Sequence, residues 1–562
     1  MNGANLLVKT LGGAGVRRIF SLSGNQIMPV YDACIDSGID IVHVRHEAAA
    51  VFMADATAQL TGELGVALVT AGPGFANALS PLFGARFSES PVMLLGGDAP
   101  IGAEGKGAFQ ELAQREIARS GVKASMRPER VREIGEMAAQ LIAKALSPRP
   151  GPVHLALPFD LLKAPVDERD RSLDPGALAP SQLPMASSLA ARLAQLVAQA
   201  ERPLFVTGPW LSRSRNAALV EALERATSAP VIAMESPRGL RDPSLGAFPE
   251  CLAQADLVVL LGKMPDFSLN FAQSPTLAKD ARLAVIDPDP SMIERARRAV
   301  KERLVFSARA GALEAAQAIV QAASIAPVDG DAWHERVART IAARCEIAES
   351  DSPPPLPPAA ERSRQEEAPF ERRGLHPRAV CAAVQRLLDA ADDPILVCDG
   401  GEYGQWAQAL CHAPTRIVNG PFGAIGGGIC QALAAALERP RATIVAMMGD
   451  GSAGFHFMEF DTAARYGARF IAVIGNDFRW NAEHRIQLRE YGADRLIGCE
   501  LSAATRYDRL AAALGGYGER VRSIDALDAA LESALASGRC ACIDVEIESV
   551  AAPLFASTAS PH

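Results

Sequence analysis

Two acidic residues each end an apolar run. Asp450 follows Thr443-Ile444-Val445-Ala446-Met447-Met448 within Gly449-Asp450-Gly451-Ser452, and Asp477 follows Phe470-Ile471-Ala472-Val473-Ile474 within Asn476-Asp477. Short apolar runs bounded by polar turns predict strands, and the stretch from Phe455 to about Tyr466 predicts the helix between them. In a parallel sheet the carboxyl ends of such strands lie side by side, where ligands bind. Two carboxylates delivered there suit a hard divalent cation such as Mg2+, which takes oxygen ligands and shares them with substrate phosphates. The glycines let backbone approach a phosphate, and the N-terminus of a following helix favours an anion. A third acid, Glu47, stands where the predicted strand Ile41-Val42-His43-Val44-Arg45 runs into a helix of small residues, Ala48-Ala49-Ala50.

This pattern resembles the thiamine diphosphate (ThDP) signature, which runs from Gly-Asp-Gly to an Asn-Asn pair. Asp477 lies 27 residues after Asp450, as that signature requires. The resemblance implies that Asp450 and Asp477 bind the metal through their side chains and Arg479 through its backbone carbonyl, with Gly451 and Ser452 at the diphosphate. One position departs from the pattern: the family usually carries Asn where this chain has Asp477, which adds negative charge beside a diphosphate.

Arg45-His46-Glu47-Ala48-Ala49-Ala50, with Ala71-Gly72-Pro73-Gly74-Phe75-Ala76-Asn77 after the strand Val66–Thr70, resembles the pyrimidine-binding domain of acetolactate synthase-like enzymes. There Glu47 would hydrogen-bond N1′ of the aminopyrimidine, so that N4′ can take the C2 proton. Pro73 and Asn77 would lie at the same ring. Gly423-Ala424-Ile425-Gly426 resembles the loop that props the cofactor into its bent shape, with Ile425 as the wedge and the Gly423 carbonyl accepting from N4′; a rigid wedge supplies proximity. Gly401, Glu402 and Tyr403 align with the first diphosphate loop. Gln26 and Gln110 (in Phe109-Gln110-Glu111) would face substrate oxygens. An amide there can hydrogen-bond a carbonyl but cannot act as an acid or base. His484 is the imidazole suited to proton transfer, and His456 is read as packing.

These residues must be carried by several units. The chain has 562 residues, enough for three or four domains. Residues 1–165 alternate helix and strand. Residues 166–185, rich in Asp, Pro and Ser, form a linker. Residues 186–335 form a middle Rossmann-like unit, 345–375 a proline-bearing linker, and 376–550 a last α/β unit. The expected fold is therefore α/β, with three consecutive parallel-sheet domains: pyrimidine-binding, middle and diphosphate-binding. In the middle unit the connection from Glu235 to Leu257 is short and lacks a long glycine-rich segment, so FAD is not expected. A turn suffices to explain Asp287-Pro288-Asp289. The tail beyond Val550 is expected to be poorly ordered.

The net charge of −9 argues against nucleic acid as a partner. No apolar run is long enough to span a membrane, and the first residues read as an amphipathic helix rather than a signal peptide. Ten scattered cysteines suggest a reducing cytoplasm, and burial accounts for Cys540 and Cys542. The residues and the resemblance together lead to the expectation of a ThDP- and Mg2+-dependent enzyme acting on small carbonyl substrates. It would decarboxylate a 2-oxoacid, with carboligation or protonation of the product. The alternatives are a lyase or carboligase on 2-hydroxyketones or 2-hydroxyacyl-CoA, and a binding subunit of the same fold without catalysis. Because Glu47 and Asp450 belong to separate domains, the resemblance implies a homodimer or homotetramer with active sites between subunits.

Overall fold

The computed structural model describes residues 1–167, 175–323, 331–343 and 374–553. Most of the 345–375 linker and part of the 166–185 linker lie outside the described residues. Apolar, β-branched runs form three all-parallel sheets. The first has six strands, β1 (Arg18–Ser21), β2 (Asp40–His43), β3 (Gly65–Val69), β4 (Val92–Asp98), β5 (Ser125–Met126) and β6 (Val153–Pro158), in the order β2-β1-β3-β4-β6-β5. The second has β7 (Pro203–Thr207), β8 (Val231–Ala233), β9 (Leu257–Leu261), β10 (Arg282–Ile286) and β11 (Leu304–Ala308), ordered β11-β10-β9-β7-β8. The third has β12 (Pro394–Cys398), β13 (Thr415–Val418), β14 (Thr443–Gly449), β15 (Ile471–Asn476), β16 (Tyr517–Val521) and β17 (Ala541–Glu546), ordered β13-β12-β14-β15-β17-β16. In both the first and third sheets the strand order reverses in direction beside the first strand, which opens a crevice at the carboxyl ends.

The first and third sheets share one continuous apolar core. Its centre is the helix Glu47–Thr61 packed on the helix Gly428–Glu438. Alanines on both surfaces (Ala49, Ala50, Ala54; Ala432, Ala435) let the backbones approach closely, and Phe52 fills the space a side chain on Gly427 would need. Polar contacts frame the contact: the Arg45 N–H donates to Glu459 Oε1 at 2.9 Å, Tyr466 Oη donates to the Ile41 carbonyl at 3.0 Å, and Arg18 pairs with Glu438. The helix Glu47–Thr61 begins where His46 Nδ1 accepts the Ala48 N–H and ends at Gly62, whose φ of +72° suits a residue without a Cβ.

One local expectation is corrected, and one falls mostly outside the described residues. The helix after β14 starts at once, as a single turn Asp450–Ala453, and the longer one runs only over Glu459–Arg465. The Asp450 carbonyl accepts the Gly454 N–H that closes the single turn (3.2 Å) and also the Tyr507 hydroxyl (2.7 Å). The segment after Val550 is fixed as far as Pro553, because the Ala552 N–H donates to Glu402 Oε1 at 2.6 Å; the residues beyond lie outside those described. Cys540 and Cys542 are buried, as expected.

Candidate active site

Glu47 is 8% exposed, and its Oε2 accepts from Asn77 Nδ2 at 3.0 Å. Pro73 opens the short helix that carries Asn77, a position where its missing N–H costs nothing. Beside it, Thr70 Oγ1 donates to Gln26 Oε1 at 2.6 Å, and Gln26 Nε2 donates to Gln110 Oε1 at 3.0 Å. The first sheet thus brings Glu47, Asn77, Gln26 and Gln110 to one rim. Gln110 is not on a helix: its φ of +62° bends it over Gly72, where a Cβ would stand 2.8 Å from that of Gln110. Thr70 was not foreseen. Its signal was weak, since only contacts to Gly24 and Gly74, where any Cβ would collide with it, fix its place.

The third sheet builds a separate cavity. Its wall includes Gly401, Glu402, Asp450, Ser452, Asp477 and Arg479, with no residue from the first sheet's domain. Asp450 is 3% exposed and its carboxyl is pushed up to about 8, by burial first and by the Asp477 charge second. Asp477 is pushed up to about 7 by burial, against the pull of Arg479 and a hydrogen bond with Ser549. Both shifts report desolvated charge that lacks a full partner. Phe478 has φ +61°, so the chain turns sharply between Asp477 and Arg479. The Trp480 N–H to Cys499 carbonyl bond (2.7 Å) then pins the segment.

Asp399 organises the loops above. Its buried carboxylate accepts backbone N–H bonds from Gly400 (2.6 Å), Gly426 (3.0 Å) and Gly428 (2.9 Å). That ties the Gly400-Gly401 turn to the loop Gly423–Gly428. Ile425 Cγ2 lies 2.4 Å from where a Cβ on Gly400 would stand, so only glycine admits Ile425 there. Gly423 has φ +74°. His456 packs edge-on against His46 and Phe52 and also hydrogen-bonds the Gly426 carbonyl through Nδ1 at 2.7 Å.

Three further site candidates, Glu402, Tyr403 and His484, make contacts of their own. Glu402 directs its carboxylate to the Ala552 N–H and to Gln405, so it fastens the C-terminal segment. The Tyr403 ring backs the cavity against Gly475, while its hydroxyl is buried near Cys381 and Cys411 with no hydrogen-bond partner among the described residues. His484 Nε2 lies 3.1 Å from Arg479 Nη1. A guanidinium only donates, so Nε2 accepts and the ring hydrogen sits on Nδ1. Burial, then the Arg479 charge, lowers the His484 pKa.

Three family models match this chain: the thiamine pyrophosphate enzyme N-terminal TPP binding domain over residues 1–117, the central domain over 190–315, and the C-terminal TPP binding domain over 399–545. The chain is 31% identical to a probable acetolactate synthase of Mycobacterium bovis, covering 97% of this chain and 95% of that protein. It is 31% identical to 2-hydroxyacyl-CoA lyase 2 of Bos taurus (92% and 84%) and 30% identical to that of Caenorhabditis elegans (95% and 87%). The chain belongs to the thiamine pyrophosphate enzyme family. It is a ThDP-dependent enzyme by that membership, and its residues fit the cofactor. Beside Gly449 a Cβ would meet nothing within 4 Å, and beside Gly401 only Ser452 Oγ at 4.0 Å. Backbone is therefore open to a diphosphate at both turns. Gly401 also needs its φ of +85°.

Proposed function

We propose that this chain is a ThDP- and Mg2+-dependent enzyme that decarboxylates a 2-oxoacid and passes the product to an acceptor carbonyl or a proton. Asp450, Asp477 and the Arg479 carbonyl hold the metal, which offsets the charge of two desolvated carboxylates. Gly401, Gly451 and Ser452 seat the diphosphate. Glu47, oriented by Asn77, exchanges a proton with the aminopyrimidine N1′, and Pro73 lies beside the same ring. Ile425 holds the ring position and the Gly423 carbonyl accepts from its amine. When bound, the cofactor supplies the carbanion chemistry that no side chain can.

The observation that carries decarboxylation is the Gln26–Gln110 pair. Cleaving a 2-hydroxy compound breaks its C–C bond with removal of the hydroxyl proton, whereas the C–C bond broken in decarboxylation needs no base and a proton is taken up only at product release. The two amides donate and accept but do not titrate, and the His484 Nε2 already faces Arg479. The alternative reading, a lyase on 2-hydroxyketones or 2-hydroxyacyl-CoA, is favoured by the equal identity to 2-hydroxyacyl-CoA lyase 2. It makes His484 the base only if Arg479 moves away.

The cavity has no wall from the first domain, so a second copy supplies Glu47 and the active unit is a homodimer or homotetramer. FAD has no place in this reading. At the turn after β7 the Glu89 carboxylate accepts the Trp210 N–H at 2.9 Å and lies 2.8 Å from where a Cβ on Gly208 would stand. Arg149 links Glu89 (3.1 Å) to Asp287 (2.5 Å). Among the described residues no helix is long and apolar enough to cross a membrane, and the nine described cysteines are buried thiols, which suits a reducing cytoplasm.

The test is CO2 release by purified protein with Mg2+ and ThDP, across pyruvate and longer and aromatic 2-oxoacids. Release from one acid that stops without ThDP is expected. Silence across the panel, with cleavage of a 2-hydroxyacyl-CoA, replaces this reading with the lyase.

A further inference from the structure

The backbone of Gly426, the residue after Ile425, is gripped from both sides. Its N–H donates to the two oxygens of the buried Asp399 carboxylate, at 3.1 and 3.0 Å, and its carbonyl faces His456 Nδ1 at 2.7 Å. Its φ is +86°, and a Cβ on it would stand 2.4 Å from the Phe455 Cβ, so glycine is required there. A carbonyl can only accept, so a hydrogen of the His456 ring stands on Nδ1. Burial lowers the His456 pKa, which keeps the ring neutral with that one hydrogen. The ring has little freedom to turn. It lies edge-on to Phe52 with ring centres 5.6 Å apart and to His46 at 5.5 Å. Both neighbours come from the first domain: Phe52 lies on the helix Glu47–Thr61, and His46 caps that helix.

We propose that His456 is a positioning residue for Ile425: its Nδ1–H holds the Gly426 carbonyl, and the first domain's helix fixes the ring that does so. The inference rests on the ThDP reading above, in which Ile425 sets the bend of the cofactor. Asp399 ties the loop Gly423–Gly428 only to its own domain, through Gly400, Gly426 and Gly428. His456 adds a reference point in the first domain. A backbone held at both its N–H and its carbonyl cannot flip or slide, and the side chain one residue earlier is held with it. Ile425 is confined on its other flank as well, where its Cγ2 lies 2.4 Å from the place of a Cβ on Gly400. Packing accounts for the two edge-on contacts of His456. It does not account for a 2.7 Å bond aimed at the one loop whose placement decides how near N4′ stands to C2. Proton transfer between those atoms depends steeply on that distance.

Three variants of the full chain test this, with readouts that need no substrate: the rate at which the C2 hydrogen of bound ThDP exchanges with deuterium, by NMR; the dissociation constant of Mg-ThDP, by calorimetry; and the melting temperature. His456→Asn keeps an N–H donor at the place of Nδ1 and is expected to exchange within about threefold of the wild-type rate. His456→Leu fills the space without a donor, and His456→Gln sets its amide out where Nε2 stands. Both are expected to slow exchange about tenfold or more. Their dissociation constants should change little, because the diphosphate cavity does not include His456. His456→Gln carries the test if the leucine variant does not fold. Exchange at the wild-type rate in His456→Gln, or the same loss in His456→Asn as in His456→Gln, overturns the proposal. Exchange, affinity and melting temperature falling together would make His456 a packing residue and overturn it too. A wild-type protein that binds no Mg-ThDP overturns the functional reading itself. Wild-type binding and exchange with unaltered variants removes only the role of His456.

Discussion

The two halves of the site are built on opposite principles. At the rim of the first sheet, Glu47, Asn77, Thr70, Gln26 and Gln110 hydrogen-bond in neutral pairings or to a single carboxylate. Each amide has its orientation chosen by a neighbour, so this half is preorganised. In the third sheet's cavity two carboxyls share a desolvated corner: burial raises both, and the Asp477 charge raises Asp450 further. That half is in electrostatic conflict, which the proposed cation would relieve. Chemistry that moves a proton at a fixed distance needs the first arrangement. Binding that must capture a metal and a diphosphate gains from the second, because the metal relieves a stress already present.

The sharpest way to break the comparison is Glu47→Gln. The amide still fits beside Asn77 but cannot exchange a proton. Turnover should fall by about 10²–10⁴, while Mg-ThDP still binds to within about tenfold. A variant that retains full activity would remove Glu47 from the chemistry, and one that loses cofactor altogether would make it a binding residue.

The next effect is on stability and is specific to the cavity. With divalent metal chelated, folded Asp450 keeps its proton up to about pH 8 and folded Asp477 up to about pH 7, whereas the ordinary carboxyl value is 3.8. Between about pH 4 and 8 the folded chain therefore binds more protons than the unfolded one. By linkage, stability falls as pH rises through that window. The contribution is complete below pH 4 and absent above 8. The melting temperature in chelator should drop from pH 5 to pH 8 by the equivalent of about 6 kcal/mol. Asp477→Asn should flatten the slope by roughly half, and added Mg2+ should restore most at the alkaline end. A flat profile in the wild type would mean that the corner is not under strain.

What the sequence made legible follows the same division. The acid pair, the glycine turns and the small-residue helix from Glu47 were readable because each depends on neighbours a few positions away. The three sheets were readable from short apolar runs. Long-range partners were not. Asp399 gathers N–H groups from Gly400, Gly426 and Gly428, and no local pattern states that an acid will be enclosed by a loop some 27 positions on. The only clue was an acid directly before the glycine pair Gly400-Gly401. The bond from Glu402 to the Ala552 N–H, 150 positions away, had no local signal either. The helical turn at Asp450, five residues before the expected start, has its first carbonyl held by the Tyr507 hydroxyl from a distant element.

The smallest effect sharpens the preorganised half. If Thr70 fixes the amide of Gln26, which in turn leaves the Gln110 NH2 group directed outward, then Thr70→Val keeps the β-branched shape and removes only the hydroxyl. Gln26 can then rotate, and Gln110 presents oxygen for part of the time where it should present a donor. A hydrogen bond of this kind contributes about 0.5–1.5 kcal/mol, so kcat/KM should fall about two- to tenfold on the acid found to release CO2. The dissociation constant of Mg-ThDP should not move, because the cavity of the third sheet does not include Thr70. Thr70→Ser should recover the rate. If instead cofactor binding weakens in step with turnover, the two halves are coupled through the shared core of the first and third sheets, and the division between a preorganised half and a strained half fails.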